Sequence, residues 1–419
     1  MNLVTVNIES IRIGQPLPFS LRDEEGILLA PKGYVLTGQS DLDLMLDKRV
    51  TLYIELTESE NYHRAYVARL HNLINEERPL GQIADTHISL ADLDKMPDLV
   101  DINNSTNNGE PDWLDLQTQT HAMLRNSNPV SFLPRLNRLQ AQLSRHTRAN
   151  PDGTLLALMH LSSNELRMYS ATHAMLVMVM CSLAAREVFK WSEALEVTLC
   201  NAALTMNIGM TELQDQLSQQ KEAPTQEQRR RIRHHALRSA NLLEQLGVTD
   251  PCWLEAVLAH HTKTPGPLAS RQTSQRIARL IQRADMFAAC LAPRASRVAV
   301  TAAHAMKASY FDENRLIDEA GAGLIKAVGI YSPGSFVRLA SQEIAMVIKR
   351  GANTTTPHVA VVVNRAGMPT GEPIVRDTSQ AEFKIVTGLA PRDVNVKINL
   401  NRLLQLTKLP SSNRFWQKL

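Results

Sequence analysis

The chain has 419 residues, 44% of them hydrophobic, with a formal net charge of +3 and a pI near 8.6. That length and apolar content suffice for two or three domains and at least one sizeable core. Its 45 basic residues are nearly matched by 42 acidic ones, which argues against the concentrated positive charge of a nucleic-acid-binding protein.

Residues 1–56 contain the β-like runs LVTVNI, ILLA and VTLYIEL, separated by the turn-forming clusters RDEEG and APKG. They predict a small β-rich N-terminal domain. The opening MNLVTVNIESIRIG has no basic segment leading into an apolar core, so no signal peptide is expected. Residues 57–150 read as a helical connector, with a polar helix near 60–78 and a linker, DINNSTNNGEPD, at 101–112. From 151 to 330, apolar residues recur at three- and four-residue spacing between the breakers ANPDG, GVTDP and TKTPGPLAS, which predicts an all-helical domain. The most apolar run, AMLVMVMCSLAA at 174–185, falls short of the ~20 residues that span a bilayer. It reads as a buried helix, with no membrane insertion expected.

In residues 331–419 the pattern changes to the strand-like SFVRL, IAMVIK, HVAVVV and FKIVTG, with ASQE and NRAG as hairpin turns. The predicted fold is therefore mainly α: a helical bundle flanked by a small N-terminal β-rich domain and a C-terminal β-rich subdomain. Cys181, Cys200, Cys252 and Cys290 show no C-x-x-C spacing and sit in or beside apolar helical patterns. Structural thiols in a reducing compartment are expected, and the cytoplasm fits.

Within the helical domain, several polar residues fall on apolar faces. His173 shares a face with Tyr169, Leu176, Val177, Met180 and Leu183, and His235 with Ile232, Ala236, Ser239, Leu242 and Leu243. His261 follows Trp253, Leu254, Val257 and Leu258 at helical spacing, with His260 beside it, so that both can reach one interior site. Asp285 lies with Ile277, Leu280, Ile281 and Ala288. Taken singly, each histidine reads as an ordinary hydrogen-bonded core residue. An inward aspartate is less ordinary, because buried carboxylates are paired or bind metal. Together the four imidazoles and the carboxylate form a donor set suited to Fe, Mn or Zn. A further question comes from AALTMNIGM at 202–210, where Asn207 and Gly209 interrupt an apolar helical run. A buried amide needs a partner nearby.

From about Tyr169 to Arg350, the order and spacing of six segments resemble the HD-GYP branch of the HD-domain metal-dependent phosphohydrolases. These are YSATHAML, AALTMNIGM, HALRSANLL, HHTKTPGPL, ADMFAACLAPR and YSPGSFVRLASQE. The resemblance implies an HD-type helical bundle and, in active members, hydrolysis of the bacterial messenger cyclic di-GMP at a metal centre. It places His173, His235, His260, His261 and Asp285 at metal-ligand positions and Arg294 at a phosphate-contacting one; a bland reading of Arg294 is a surface residue beyond a helix end. The signature His-Asp pair falls on Met206 and Asn207, the lysine after it on Met210, and the glutamate after the paired histidines on Thr262. The Gly-Tyr-Pro segment is reduced to KTPGPL.

These changes bear on the chemistry. In a two-metal site a bridging carboxylate offsets the repulsion between ions about 3.5–4 Å apart. Asn207 offers only a neutral oxygen, and a methionine thioether is too soft for Fe or Mn. At most one Fe, Mn or Zn ion is expected, at His235, His260 and His261. No catalytic set is intact, so the leading reading is a degenerate HD-GYP-like regulatory or partner-binding protein in cyclic di-GMP signalling. The alternative is a weak metal-dependent cyclic di-GMP phosphodiesterase using the three histidines. A third reading is a fossil cluster that only stabilises the fold. Expected partners are a protein of that signalling system, a cyclic dinucleotide, or a second copy of the chain. The arginine run QRRRIRHH at 228–235 lacks interleaved aromatics and reads as a solvated helix face. Met175, Met178 and Met180 read as core filler.

Overall fold

The computed structural model describes residues 3–5, 11, 13–23, 28–38, 52–55, 111–164, 168–263, 265–291 and 301–408. The helix expected near 60–78, residues 101–110 of the linker and Arg294 lie outside the described residues. The chain is mainly α-helical, with small antiparallel sheets towards both ends, and divides into two compact units, Met1–Asp115 and Leu116–Leu419.

In the first unit, β1 (Leu3–Thr5), β2 (Leu21–Arg22), β3 (Leu28–Ala30) and β4 (Tyr53–Glu55) form a sheet in the order β1-β4-β2-β3. Leu17, Phe19, Leu21, Leu36 and Ile54 belong to its buried core.

From Trp113 the chain runs through α1 (Trp113–Arg125), α2 (Phe132–Ala149), α3 (Pro151–Asn164) and α4 (Tyr169–Leu183). Every residue of α4 is buried. A helix that is apolar all round must be enclosed by protein or by lipid. Tyr169–Val188 is long and apolar enough to cross a membrane, but 83% of its apolar window is buried inside the protein. It is the central core helix, packed on α3 and on helices that follow.

Three of those helices begin at well-defined caps. The Ser192 hydroxyl accepts the Leu195 N–H at 3.3 Å ahead of α5 (Glu193–Thr205). After α6 (Thr211–Gln219), Thr225 and Gln228 form a reciprocal capping box at the start of α7 (Gln226–Gln245). Asp250 accepts the Cys252 N–H at 2.9 Å, with Pro251 opening α8 (Pro251–Ala259). Such caps satisfy backbone donors that the helix itself leaves orphaned. They fix where the helices carrying the polar residues begin.

Between α5 and α6 lies a single 3-10 turn, Ile208–Met210, packed on α7. A Cβ at Gly209 would lie 2.7 Å from the backbone nitrogen of Ser239, and the Gly209 N–H donates to the Ser239 hydroxyl at 3.0 Å. Close approach to α7 therefore accounts for this glycine.

Beyond α9 (Thr273–Leu291), α10 (Ala302–Tyr310) and α11 (Glu319–Val328) complete the bundle. Arg279 and Arg283 of α9 are almost fully enclosed and meet Glu313 and Asp318. Asp318 also caps α11 through the Gly321 N–H.

The second sheet comprises β5 (Phe336–Leu339), β6 (Ile344–Lys349), β7 (His358–Val363), β8 (Pro369–Asp377) and β9 (Ile385–Leu389), in the order β8-β7-β6-β5-β9. The expected hairpin turns join β5 to β6 and β7 to β8. Just after β6, Arg350 ties the sheet to the helices through Asp152 at 2.8 Å, Glu187 at 2.7 Å and the Ala327 carbonyl at 2.6 Å.

Candidate metal site

Helix α7 supplies His235, whose residue is 3% exposed, and the end of α8 supplies His260, which is fully buried. His261, expected in the interior, is instead exposed. Helix α8 stops at Ala259, and the chain turns there, so the ring of His261 reaches the cluster from its solvent side. Its ring centroid lies 4.1 Å from that of His260 and 4.9 Å from that of His235. One nitrogen from each of the three rings lies within 4.8 Å of the others.

The proton positions on His235 and His260 follow from their neighbours. His235 Nδ1 is 2.6 Å from the Ile232 carbonyl oxygen, and His260 Nδ1 is 2.6 Å from that of Val257. A carbonyl can only accept, so each Nδ1 carries the hydrogen and each neutral ring presents a lone pair at Nε2. Those two Nε2 atoms are 3.2 Å apart. Two lone pairs at that separation repel unless a cation sits between them. Around tetrahedral zinc, with Zn–N of about 2.0–2.1 Å, the nitrogen–nitrogen edge is about 3.3 Å. Backbone carbonyls that hold the far nitrogen of a ligand histidine are the usual outer-shell device. Burial lowers the pKa of both rings, with the neighbouring histidines adding to the effect, and takes His260 down to about 3. Both are thus neutral, the form that binds metal.

The remaining pair is arranged differently. His173 of α4 places Nε2 2.7 Å from Asp285 Oδ1 of α9, with side-chain exposures of 3% and 15%. Burial by itself would raise the Asp285 carboxyl, yet the hydrogen bond from His173 and the electrostatic influence of the surrounding histidines bring it down to about 2. The ring of His173 stacks on Tyr169, and its Nδ1 is enclosed with no hydrogen-bond partner among the described residues. The Asp285 charge also acts on His235 and His260. The five residues singled out from the sequence therefore converge from α4, α7, the end of α8 and α9.

The residues that the sequence resemblance sets at the signature positions add little to this set. Met206 is buried as the cap residue ending α5. Asn207 is half-buried at the start of the 3-10 turn, and its enclosed Oδ1 has no hydrogen-bond partner among the described residues, contrary to the expectation that a neighbour satisfies it. Met210 precedes α6, and Thr262 is exposed. The donor set thus fits one ion at His235, His260 and His261. It does not fit a second, because Asp285 is engaged by His173, Asn207 is neutral and Met206 offers a soft thioether.

Two polar clusters were not singled out from the sequence. One is the Arg279, Arg283, Glu313 and Asp318 network. The other is Asp215, which accepts the Ser170 N–H at 2.8 Å and the Ser170 hydroxyl at 3.0 Å and lies 3.2 Å from His121 Nε2. The available signal for the first was a pair of arginines four residues apart on a helix that is otherwise apolar on that side.

No family model matches the chain, and no curated protein is similar to it. Among solved structures, it is similar to one described as Bd1817, a HDG"Y"P protein, from Bdellovibrio bacteriovorus. The identity is 14% and the TM-score 0.40, over 77% of this chain and 98% of that one.

Proposed function

We propose that this protein is a catalytically degenerate HD-GYP-like module that regulates or binds a partner in bacterial cyclic di-GMP signalling. In this reading the helical domain keeps one metal position, held by His235, His260 and His261. The observation that carries the reading is the His173–Asp285 contact of 2.7 Å, taken with Asn207 at the position where the resemblance leads one to expect a bridging carboxylate. A carboxylate committed to an imidazole, with a neutral amide in place of its charged neighbour, leaves little to hold a second cation.

A bound ion at the three histidines would supply a Lewis acid and an open coordination position. The chain's own residues hold the ring orientations through Ile232 and Val257. They provide no general acid or base at Thr262 and no lysine at Met210. A weak phosphodiesterase is the second reading, favoured by the convergence of the two Nε2 lone pairs. The setting proposed for either reading is the cytoplasm, with a signalling protein or a second copy as partner.

The test uses the full chain loaded in turn with Mn, Fe and Zn and assayed for cyclic di-GMP hydrolysis. One ion per chain and no turnover is the expected result. Turnover with one ion, abolished by His235→Ala, would favour the second reading, and turnover with two ions would overturn both.

A further inference from the structure

A cavity of ≈ 450 Å³ opens in the second unit where the end of α1, the start of α6 and the outer face of α7 meet. That volume lies within the range of small-molecule sites, about 300–1,000 Å³. Its wall carries Arg125, Arg231 and Arg238 against a single acid, Glu212, with Leu124 and Leu242 as apolar neighbours. Arg125 and Glu212 are 3.5 Å apart, and Glu212 is 72% exposed, so this ion pair does little to neutralise the wall.

Arg231 and Arg238 form no ion pair or hydrogen bond among the described residues. They are seven residues apart on α7, hence on the same face and about 10.5 Å apart along the helix axis. Their neighbours in the arginine run are used otherwise. Arg229 donates to the Pro224 carbonyl at 2.9 Å, and Arg230 pairs with Glu227 at 2.9 Å. Arg229, Arg230 and Arg233 are exposed, as expected of a solvated face, and the half-buried Arg231 brings one unpaired guanidinium to the concave wall, where Arg238 supplies a second. In addition, no side chain caps the start of α6, whose first residues Thr211 and Glu212 line the same cavity. A helix start favours negative charge.

We propose that this cavity binds a small phosphate-bearing anion, with Arg231 and Arg238 as its principal contacts and Arg125 as a third. Guanidinium groups match phosphate oxygens in pairs. The spacing of the two arginines and the volume of the cavity suit a diphosphate group better than a single phosphate. The diphosphate of a nucleotide and free pyrophosphate share this chemistry. The proposal does not depend on the histidine site holding a metal.

Isothermal titration calorimetry of the full chain at low salt, free of divalent cations, tests it with GDP and with pyrophosphate as probes. Saturable binding of one ligand per chain is expected, weakened at least tenfold in Arg231→Ala/Arg238→Ala. The paired lysine variant, Arg231→Lys/Arg238→Lys, keeps the charge but loses the planar fork and is expected to bind at an intermediate level. Because both side chains face the cavity and solvent, the thermal melts of the variants should overlay that of the parent. Tighter binding of GDP points to a nucleotide, and equal binding to the bare diphosphate. No saturable binding of either probe, or binding undiminished in the alanine variant, overturns the proposal.

Discussion

His173 Nε2 and Asp285 Oδ1 stand 2.7 Å apart, joining the central helix α4 to α9. A hydrogen bond to a charged group of this kind contributes about 1.5–3 kcal/mol. Asp285→Asn is therefore expected to lower the unfolding free energy by about that amount, measured by urea denaturation at neutral pH. Metal stoichiometry should not change, because the account assigns the ion to the other three histidines. Loss of the ion in this variant would show that Asp285 is itself a ligand.

Removal of either oriented imidazole is expected to abolish metal-induced stabilisation. Zinc present at a hundredfold excess over its dissociation constant stabilises a folded protein by about 2.7 kcal/mol. The parent chain should show a corresponding rise in melting temperature, reversed by a chelator. His235→Ala and His260→Ala should show none. An undiminished zinc shift in both variants would place the ion elsewhere.

Stability should fall with acid before any carboxylate of the site is protonated. In the unfolded chain His260 takes up a proton near pH 6.5, but in the folded protein only near 3. The unfolded state therefore binds more protons between those values, and the contribution of this ring is complete above pH 6.5 and declines below it. His235, His160 and His358, all lowered chiefly by burial, act in the same direction. Asp285, lowered to about 2, acts in the opposite pH range: its contribution is full above about 4 and is lost only as pH falls towards 2. For the metal-free chain, a loss of about 2 kcal/mol for a strongly shifted histidine is expected between pH 7 and pH 5. His260→Gln should flatten part of that slope in urea denaturation, and an unchanged slope would contradict the assignment.

The close approach at Gly209 gives an independent structural prediction. An added methyl group meets the backbone of Arg238 and Ser239, which has no side-chain freedom to yield. Gly209→Ala is expected to destabilise the chain by about 1–3 kcal/mol. A melting temperature equal to that of the parent would mean that the turn and α7 are not in contact in solution.

Much of this arrangement was legible in the sequence. The apolar spacing gave the helical domain, and the punctuation ASQE and NRAG gave the hairpins that join β5 to β6 and β7 to β8. The inward positions of His173, His235 and Asp285 followed from helical periodicity, whereas periodicity set His261 on the apolar face and it is His260 that is fully buried. The difference arises because periodicity assumes a continuing helix and α8 ends at Ala259. The proton positions on His235 and His260 were also out of reach, since they depend on backbone carbonyls three residues earlier. The network around Asp318 joins α9 to the stretch Glu313–Asp318, and only its two arginines, four residues apart on an otherwise apolar side, left a trace in the local pattern. The orphaned Oδ1 of Asn207 ran against the rule that buried amides find partners.

The central claim is that one metal position survives and the other has been closed by the His173–Asp285 contact and the neutral Asn207. Elemental analysis of the full chain after saturation with zinc and exhaustive dialysis tests this most directly, with Met206→His/Asn207→Asp measured alongside. The account predicts one ion per chain for the parent and more than one for the double variant. Two ions per chain in the parent, or none at all, would contradict it.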